Sequence, residues 1–303
     1  MTAVLVHLVL LVVLPPFLMG VITRTKALFA GRKGPPLLQT YYDIAKLLRK
    51  GMVISDTTTW VFRAAPLVTL ASVFAAGLLL PMGDTPAPVS FTGDFILFAY
   101  LLGLSRFFTA SAALDTGSAF EGMGSAREVT FASLTEPALF FAFLVLARLS
   151  GTLSLSGMLH SGRSVSFPPG SVAPLIMVAI GLFIVYLAEN SRIPVDDPTT
   201  HLELTMIHEA MVLDHSGSLF GLIEYASSMK LFVIASVLVN VIIPTYTDLQ
   251  WLDWLIFTGS VIALAFATGV IESVIGRLRM SRVPSLLIAA VLLCGSAFIM
   301  LVR

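Results

Sequence analysis

The sequence predicts an all-α integral membrane protein of about eight transmembrane helices plus one amphipathic helix on the cytoplasmic side. Three observations carry this. Of 303 residues, 57% are hydrophobic and 12% charged, with a mean hydropathy of +0.93, whereas roughly a quarter of the residues of soluble domains are charged. Eight apolar runs fall near 3–22, 62–82, 92–112, 130–149, 171–189, 226–245, 252–272 and 283–302, each close to the ~20 residues that cross a bilayer. The connections between them alternate in charge. Those at 23–61, 113–129, 190–225 and 273–282, with the helix ends beside them, take all of the 18 basic residues except Arg148, Arg163 and Arg303. Basic loops stay on the cytoplasmic side, so the sequence predicts a multi-pass protein of the cytoplasmic (inner) membrane with both termini outside.

Residues 1–303 read as a single polytopic membrane domain, with no soluble domain, low-complexity tract or internal repeat. The first run starts at the second residue without a basic leader or a small-residue cleavage site, and is read as a retained helix. The only cysteine, Cys294, lies in the last run, so neither a disulfide nor a cysteine-ligated cluster or nickel site is expected in this chain. A redox centre then belongs to a partner. The lipid bilayer is the surrounding partner, and no nucleic acid is expected.

The first charged connection, TRTKALFAGRKGPPLLQTYYDIAKLLRKG, sets Leu37, Leu38, Tyr41, Tyr42, Ile44, Ala45, Leu47 and Leu48 at roughly helical spacing opposite Asp43, Lys46, Arg49 and Lys50. This predicts an amphipathic helix lying at the membrane surface or against a partner. The third span leads into LDTGSAFEGMG, a glycine-rich loop with Asp115 and Glu121. In the fourth span Glu136 precedes Pro137, and proline frees the carbonyl four residues back, that of Ser133. A polar notch is expected there, because a carboxylate at membrane depth is costly and marks an ion or proton path. Glu128 lies eight residues earlier, about 80° round the helix and roughly 12 Å along it, within reach of a water chain.

After the fifth span comes AENSRIPVDDPTTHLELTMIHEAMVLDHSG. It carries Glu189, Asp196, Asp197, Glu203, Glu209 and Asp214, a third of the chain's 18 carboxylates, with His201, His208 and His215 and a single cation, Arg192. Pro194 and Pro198 stop the fifth helix. Thr199 or Thr200 with Glu203 makes a capping box for a new helix through LELTMIHEAMVL. Glu189 and Asp196 are the expected partners of Arg192. His208–Glu209 begins an H-E-x-x-H pattern, but Val212 stands where the second histidine belongs, so no metal site is expected. Glu224 opens the sixth span. The last charged connection, VIESVIGRLRMSRVP, sets Glu272 beside Arg277, Arg279 and Arg282.

Taken together, GRKGPPLLQTYYDIAKLLRKG, RFFTASAALDTGSAFEGMGSAREVTFASLTEP, AENSRIPVDDPTTHLELTMIHEAMVLDHSG and ESVIGRLR resemble the subunit 1 family of complex I, and within it the hydrogenase 4 and formate hydrogenlyase branch. The resemblance covers nearly the whole chain. It implies a membrane-anchoring heel subunit of a complex I-like membrane-bound nickel–iron hydrogenase, coupling electron transfer in a peripheral arm to proton or sodium translocation. The implied partners are hydrogenase large and small subunits, an iron–sulfur subunit and antiporter-like membrane subunits, with the nickel–iron centre and iron–sulfur clusters in those partners. Glu136, Glu128, Glu189, Glu203, Glu209, Glu224 and Asp115 are then the expected ion pathway, with Arg192 and Asp196 organising the loop. Arg32, Gln39, Asp43, Lys46, Glu272, Arg277 and Arg279 are expected to meet the arm.

Quinone-reducing relatives carry a longer R-x-G-P-N-R-x-G-P segment and an A-E-T-N-R-x-P-F-D motif. Here only Gly34-Pro35 remains of the first, and the second reads AENSRIPVD, which points away from quinone chemistry. A quinone-binding subunit of a respiratory dehydrogenase is the alternative of the same class. A free-standing secondary transporter is a third, and it requires the inverted repeats that this sequence lacks.

Overall fold

The computed structural model describes residues 2–160, 172–196, 206–243 and 249–302. The described chain is helical apart from its connections. Its helices are α1 (Thr2–Phe29), α2 (Gln39–Arg49), α3 (Trp60–Leu78), α4 (Asp94–Asp115), α5 (Ala119–Ser150), α6 (Leu155–His160), α7 (Val172–Glu189), α8 (His208–Met211), α9 (Gly217–Ile242), α10 (Gln250–Val274) and α11 (Val283–Val302), the last entered through a 3₁₀ turn at Met280–Arg282. Eight are long and apolar enough to cross a membrane: α1, α3, α4, α5, α7, α9, α10 and α11 with its entry turn. These are the eight runs expected from sequence. Two start earlier than expected, α5 at Ala119 and α9 at Gly217; in the added turns Glu121 of α5 accepts the backbone N–H of Asp214, and Gly221 of α9 packs on Leu47 of α2.

The bundle is built round α9. In its apolar window 72% of residues are buried, against 22% for the last span, and α1, α2, α3, α7 and α10 all pack on it. The outer helices keep their large apolar side chains turned outward, as at Tyr100, Phe107 and Leu292, the pattern of a surface that faces lipid rather than water.

Pro15 and Pro16 lie inside α1 and remove two helical donors. The freed carbonyl of Val12 accepts the Tyr225 hydroxyl of α9 at 2.8 Å, and the neighbouring Val13 carbonyl accepts the Tyr41 hydroxyl of α2. Gly20 allows the approach to α2, since a Cβ there would overlap the Leu37 carbonyl oxygen. The amphipathic helix of the first connection is therefore α2, seated against α1 and α9 of its own chain with its charged face outward. On the opposite end of the bundle, Asp94 accepts the backbone N–H of Leu155 at 2.6 Å and the Ser154 hydroxyl at 3.1 Å. Cys294 is buried against Gly181 of α7, in a packing position.

Candidate functional site

Glu189 ends α7, and the chain turns sharply just beyond it. Ser191 takes a left-handed conformation with φ 49°. The backbone N–H of Ser191 donates to the Ala188 carbonyl at 3.1 Å, and that of Arg192 to the Leu187 carbonyl at 2.8 Å. This is the double hydrogen bond of a Schellman cap, here built on serine. The turn leaves Glu189 buried inside the bundle and sends Arg192 away from it.

Three carboxylates from two helices converge on one guanidinium. Arg106 of α4 places Nη1 2.5 Å from Glu136 Oε1, Nη2 2.5 Å from Glu189 Oε1 and Nε 3.4 Å from Glu128 Oε1. The other oxygen of Glu189 lies 2.9 Å from Lys230 Nζ of α9, and the Thr135 hydroxyl donates to Oε1 at 3.0 Å. Among the described residues three carboxylates thus share two cations, so the network holds one more acid than base. The Arg106 side chain is 8% exposed and that of Glu136 48%. Glu136 therefore opens at the outer surface of the α4–α5 pair while its partner is inside.

Cavities meet this network on both sides. One, with about 40 Å³ open to the centres of water molecules, is lined by Thr69, Thr109, Glu128, Glu189, His208 and Lys230 among others, and is large and polar enough for a short water string. A second of the same size lies between Tyr100, Gly103, Arg106 and Glu136. An apolar void lined by Phe98, Leu102, Leu182, Ile234 and Leu238 sits against Glu189 and offers water no polar partner.

The loop beyond Arg192 is tied down separately. Asp196 Oδ2 accepts the backbone N–H groups of Ile207 at 3.1 Å and His208 at 3.4 Å, capping α8, and its Oδ1 lies 2.9 Å from Arg277. Gly124 of α5 lets α8 approach closely, because a Cβ would stand 2.9 Å from the Ile207 carbonyl oxygen. Arg127 donates to the Met206 carbonyl at 2.9 Å, and Glu121 accepts the backbone N–H of Asp214 at 3.0 Å.

Several expectations change. Arg192 pairs with neither Glu189 nor Asp196 among the described residues; its Nη1 lies 3.5 Å from Glu272 Oε1, because the Schellman turn reverses the chain between them. Glu272, expected on the docking surface, has a side chain of 0% exposure and also binds Lys26 at 3.0 Å, so it is an internal ion-pair group. Arg277 is held by Asp196, while Arg32, Asp43, Lys46 and Arg279 are exposed and Gln39 donates to Asp43 at 2.8 Å. Asp115 stands apart from the network. It accepts the backbone N–H of Thr59 at 2.7 Å and its hydroxyl at 3.0 Å, at the start of α3. Glu203 and the Thr199–Glu203 capping box lie outside the described residues; within them α8 spans only His208–Met211.

Sequence reading missed the two cations of the network. Arg106 in LLGLSRFFTA and Lys230 in SSMKLFVIA are lone charges inside apolar runs, a signal equal to that of Glu136. Counting them only towards topology hid it.

Burial, with Glu224 and Asp196 nearby, pushes the Glu209 carboxyl up to about 7. Burial beside Lys230 and Arg192 lowers His208 to about 4, and burial lowers His215, stacked on Phe62 with ring centroids 3.9 Å apart, to about 4. For Glu209 the folded protein binds a proton that the unfolded chain releases near pH 4.5. The resulting stabilisation is full below that pH and is lost as pH rises through 7. Glu209→Gln is therefore expected to melt at a higher temperature than the wild type at about pH 8, with the gap closing at about pH 5. Thermal melts of the detergent-solubilised protein across that range measure it; a pH-independent gap contradicts the assignment.

A family model described as NADH dehydrogenase matches residues 1–303. Formate hydrogenlyase subunit 4 of Escherichia coli (strain K12) is 30% identical over 272 residues, 90% of this chain and 85% of that protein. Hydrogenase-4 component C of the same organism is 33% identical over 236 residues, 78% and 73% of the two chains. Among solved structures, a chain of the membrane-bound sulfane sulfur reductase, an archaeal respiratory membrane complex, matches with a TM-score of 0.85 over 99% of this chain and 98% of that one. At 20% identity this is a likeness of fold.

Proposed function

Because the chain belongs to the NADH dehydrogenase family, we propose that it is the membrane-anchoring, ion-translocating subunit of a complex I-like, membrane-bound nickel–iron hydrogenase of the hydrogenase 4 or formate hydrogenlyase type. The hydrogenase subunits named among its relatives, each aligned over most of this chain, support that assignment. In this reading the nickel–iron centre and iron–sulfur clusters sit in a peripheral arm of large, small and iron–sulfur subunits, while antiporter-like subunits adjoin this chain in the inner membrane. The charged loops face the cytoplasm, and Arg32, Asp43, Lys46 and Arg279 offer exposed contacts for the arm.

One observation carries the ion-translocating part: Glu128, Glu136 and Glu189 share Arg106, with a polar cavity on one side and the half-exposed Glu136 on the other. A charge change near the loop would redistribute a proton or other cation over these acids. Glu136 opens sideways, and a carboxylate there is too costly to leave against lipid, so the α4–α5 face is where the ion passes to a neighbouring membrane subunit. Glu209 and Glu224 extend the acids toward the loop, and the buried Glu272, with Lys26 and Arg192, fixes the loop to α1 and α10.

The test is to purify the assembled complex through a tag on this chain and assay one sample for hydrogen-dependent viologen reduction and for quinone reduction. Hydrogen activity without quinone activity is expected. Quinone reduction without hydrogen activity would assign the chain to a respiratory dehydrogenase instead.

A further inference from the structure

We propose that His208 is a proton-carrying side chain of the polar cavity, taking a proton from cavity water on the charged-loop side and releasing it to Glu128. The inference rests on the ion-translocating reading above and adds to it a residue that the carboxylate network does not include.

Among the titratable groups lining that cavity, Arg106, Glu128, Glu189 and Lys230 are all joined in ion pairs, and His208 is the one outside them among the described residues. Both oxygens of Glu189 are occupied, by Arg106 and by Lys230. A proton in this cavity thus finds in His208 a base that no ion pair occupies, in the same lining as Glu128. Imidazole suits the step: one ring nitrogen accepts a proton while the other releases one, so the ring returns to neutral with no net change.

The position of His208 is built rather than incidental. Its backbone N–H and that of Ile207 are held by Asp196, which Arg277 holds in turn. Gly124 admits α8 against α5, and Arg127 fixes the Met206 carbonyl two residues before the histidine. The groups round the ring are Lys230 on α9, Arg192 after α7, Glu189 on α7, Glu128 on α5 and Arg106 on α4, with Glu209 next in the chain. Burial and the cations Lys230 and Arg192 keep the imidazole neutral at rest. It takes a proton when that positive field is offset, which links proton uptake to charge arriving at the loop.

The experiment reads protons moved per electron pair by the purified complex in proteoliposomes, for wild type, H208Q, H208A and E136Q. A positioned acid–base group speeds a proton transfer by about 10²–10⁴-fold, so proton carriage predicts that this ratio falls to background in H208Q and H208A. It also predicts that free imidazole restores H208A in proportion to its neutral form. A normal ratio in H208Q overturns the proposal, as does a loss in H208A that imidazole leaves unrestored. If H208A fails to assemble, the ratio in H208Q decides alone. E136Q separates the two levels: a wild-type ratio there defeats the reading of the network, whereas loss in E136Q with a normal ratio in H208Q defeats the role of His208 only.

Discussion

Arg106→Leu is expected to prevent stable assembly of this subunit. The substitution leaves Glu128, Glu136 and Glu189 at one point with Lys230 as their remaining cation, and among the described residues Lys230 pairs with Glu189 alone. Removing one partner of a buried ion pair costs about 3–5 kcal/mol, a large part of the ~5–15 kcal/mol that holds a typical protein folded. Arg106→Lys should recover only part of the loss. A single ammonium lacks the planar fork with which the guanidinium reaches three carboxylates at once. The yield of tagged complex from membranes and its melting temperature in detergent measure both variants; a leucine variant recovered at wild-type yield and stability would mean that the acids are already neutral and need no counter-charge.

Glu136→Gln is expected to act differently. The amide keeps the size of the side chain and an oxygen for Arg106, and Glu128 and Glu189 still occupy the guanidinium, so assembly and dye-linked electron transfer should proceed. What the amide lacks is a group that can ionise: it neither takes up nor releases a proton near neutral pH and carries no charge. Since Glu136 is the one member of the network open at the outer surface, the ions moved per electron pair should fall to background.

The eight spans were legible because each buries or faces outward an apolar run near the length that a bilayer requires. The amphipathic α2 was legible from its spacing, but its partner was not: whether such a helix meets lipid or protein depends on Gly20 and Gly221, outside the helix, and on the broken turn of α1 that Tyr41 and Tyr225 reach. Glu128, Glu136 and Glu189 stood out as carboxylates in or beside hydrocarbon. Their grouping did not, because it depends on Arg106 and Lys230, cations on two other helices.

The pairing of Arg192 was misjudged for a related reason. Sequence proximity favoured Glu189 and Asp196, yet a Schellman turn between Glu189 and Arg192 points the two side chains to different helices. Asp115 shows the same limit at smaller scale. Its carboxylate is acidic and near the others in sequence, and it is spent on the backbone and hydroxyl of Thr59.

In the function proposed for this chain, an ion moves through the Arg106 network when the partner subunits transfer electrons. The decisive quantity is the ion flux linked to hydrogen turnover in proteoliposomes that hold either the wild-type complex or Glu136→Gln, followed with a pH-sensitive dye and with radioactive sodium. A flux of one of these ions that tracks turnover in the wild type and is absent from the variant is expected. Equal flux from both complexes, at equal turnover, would contradict the proposal and reduce Glu136 to a structural partner of Arg106.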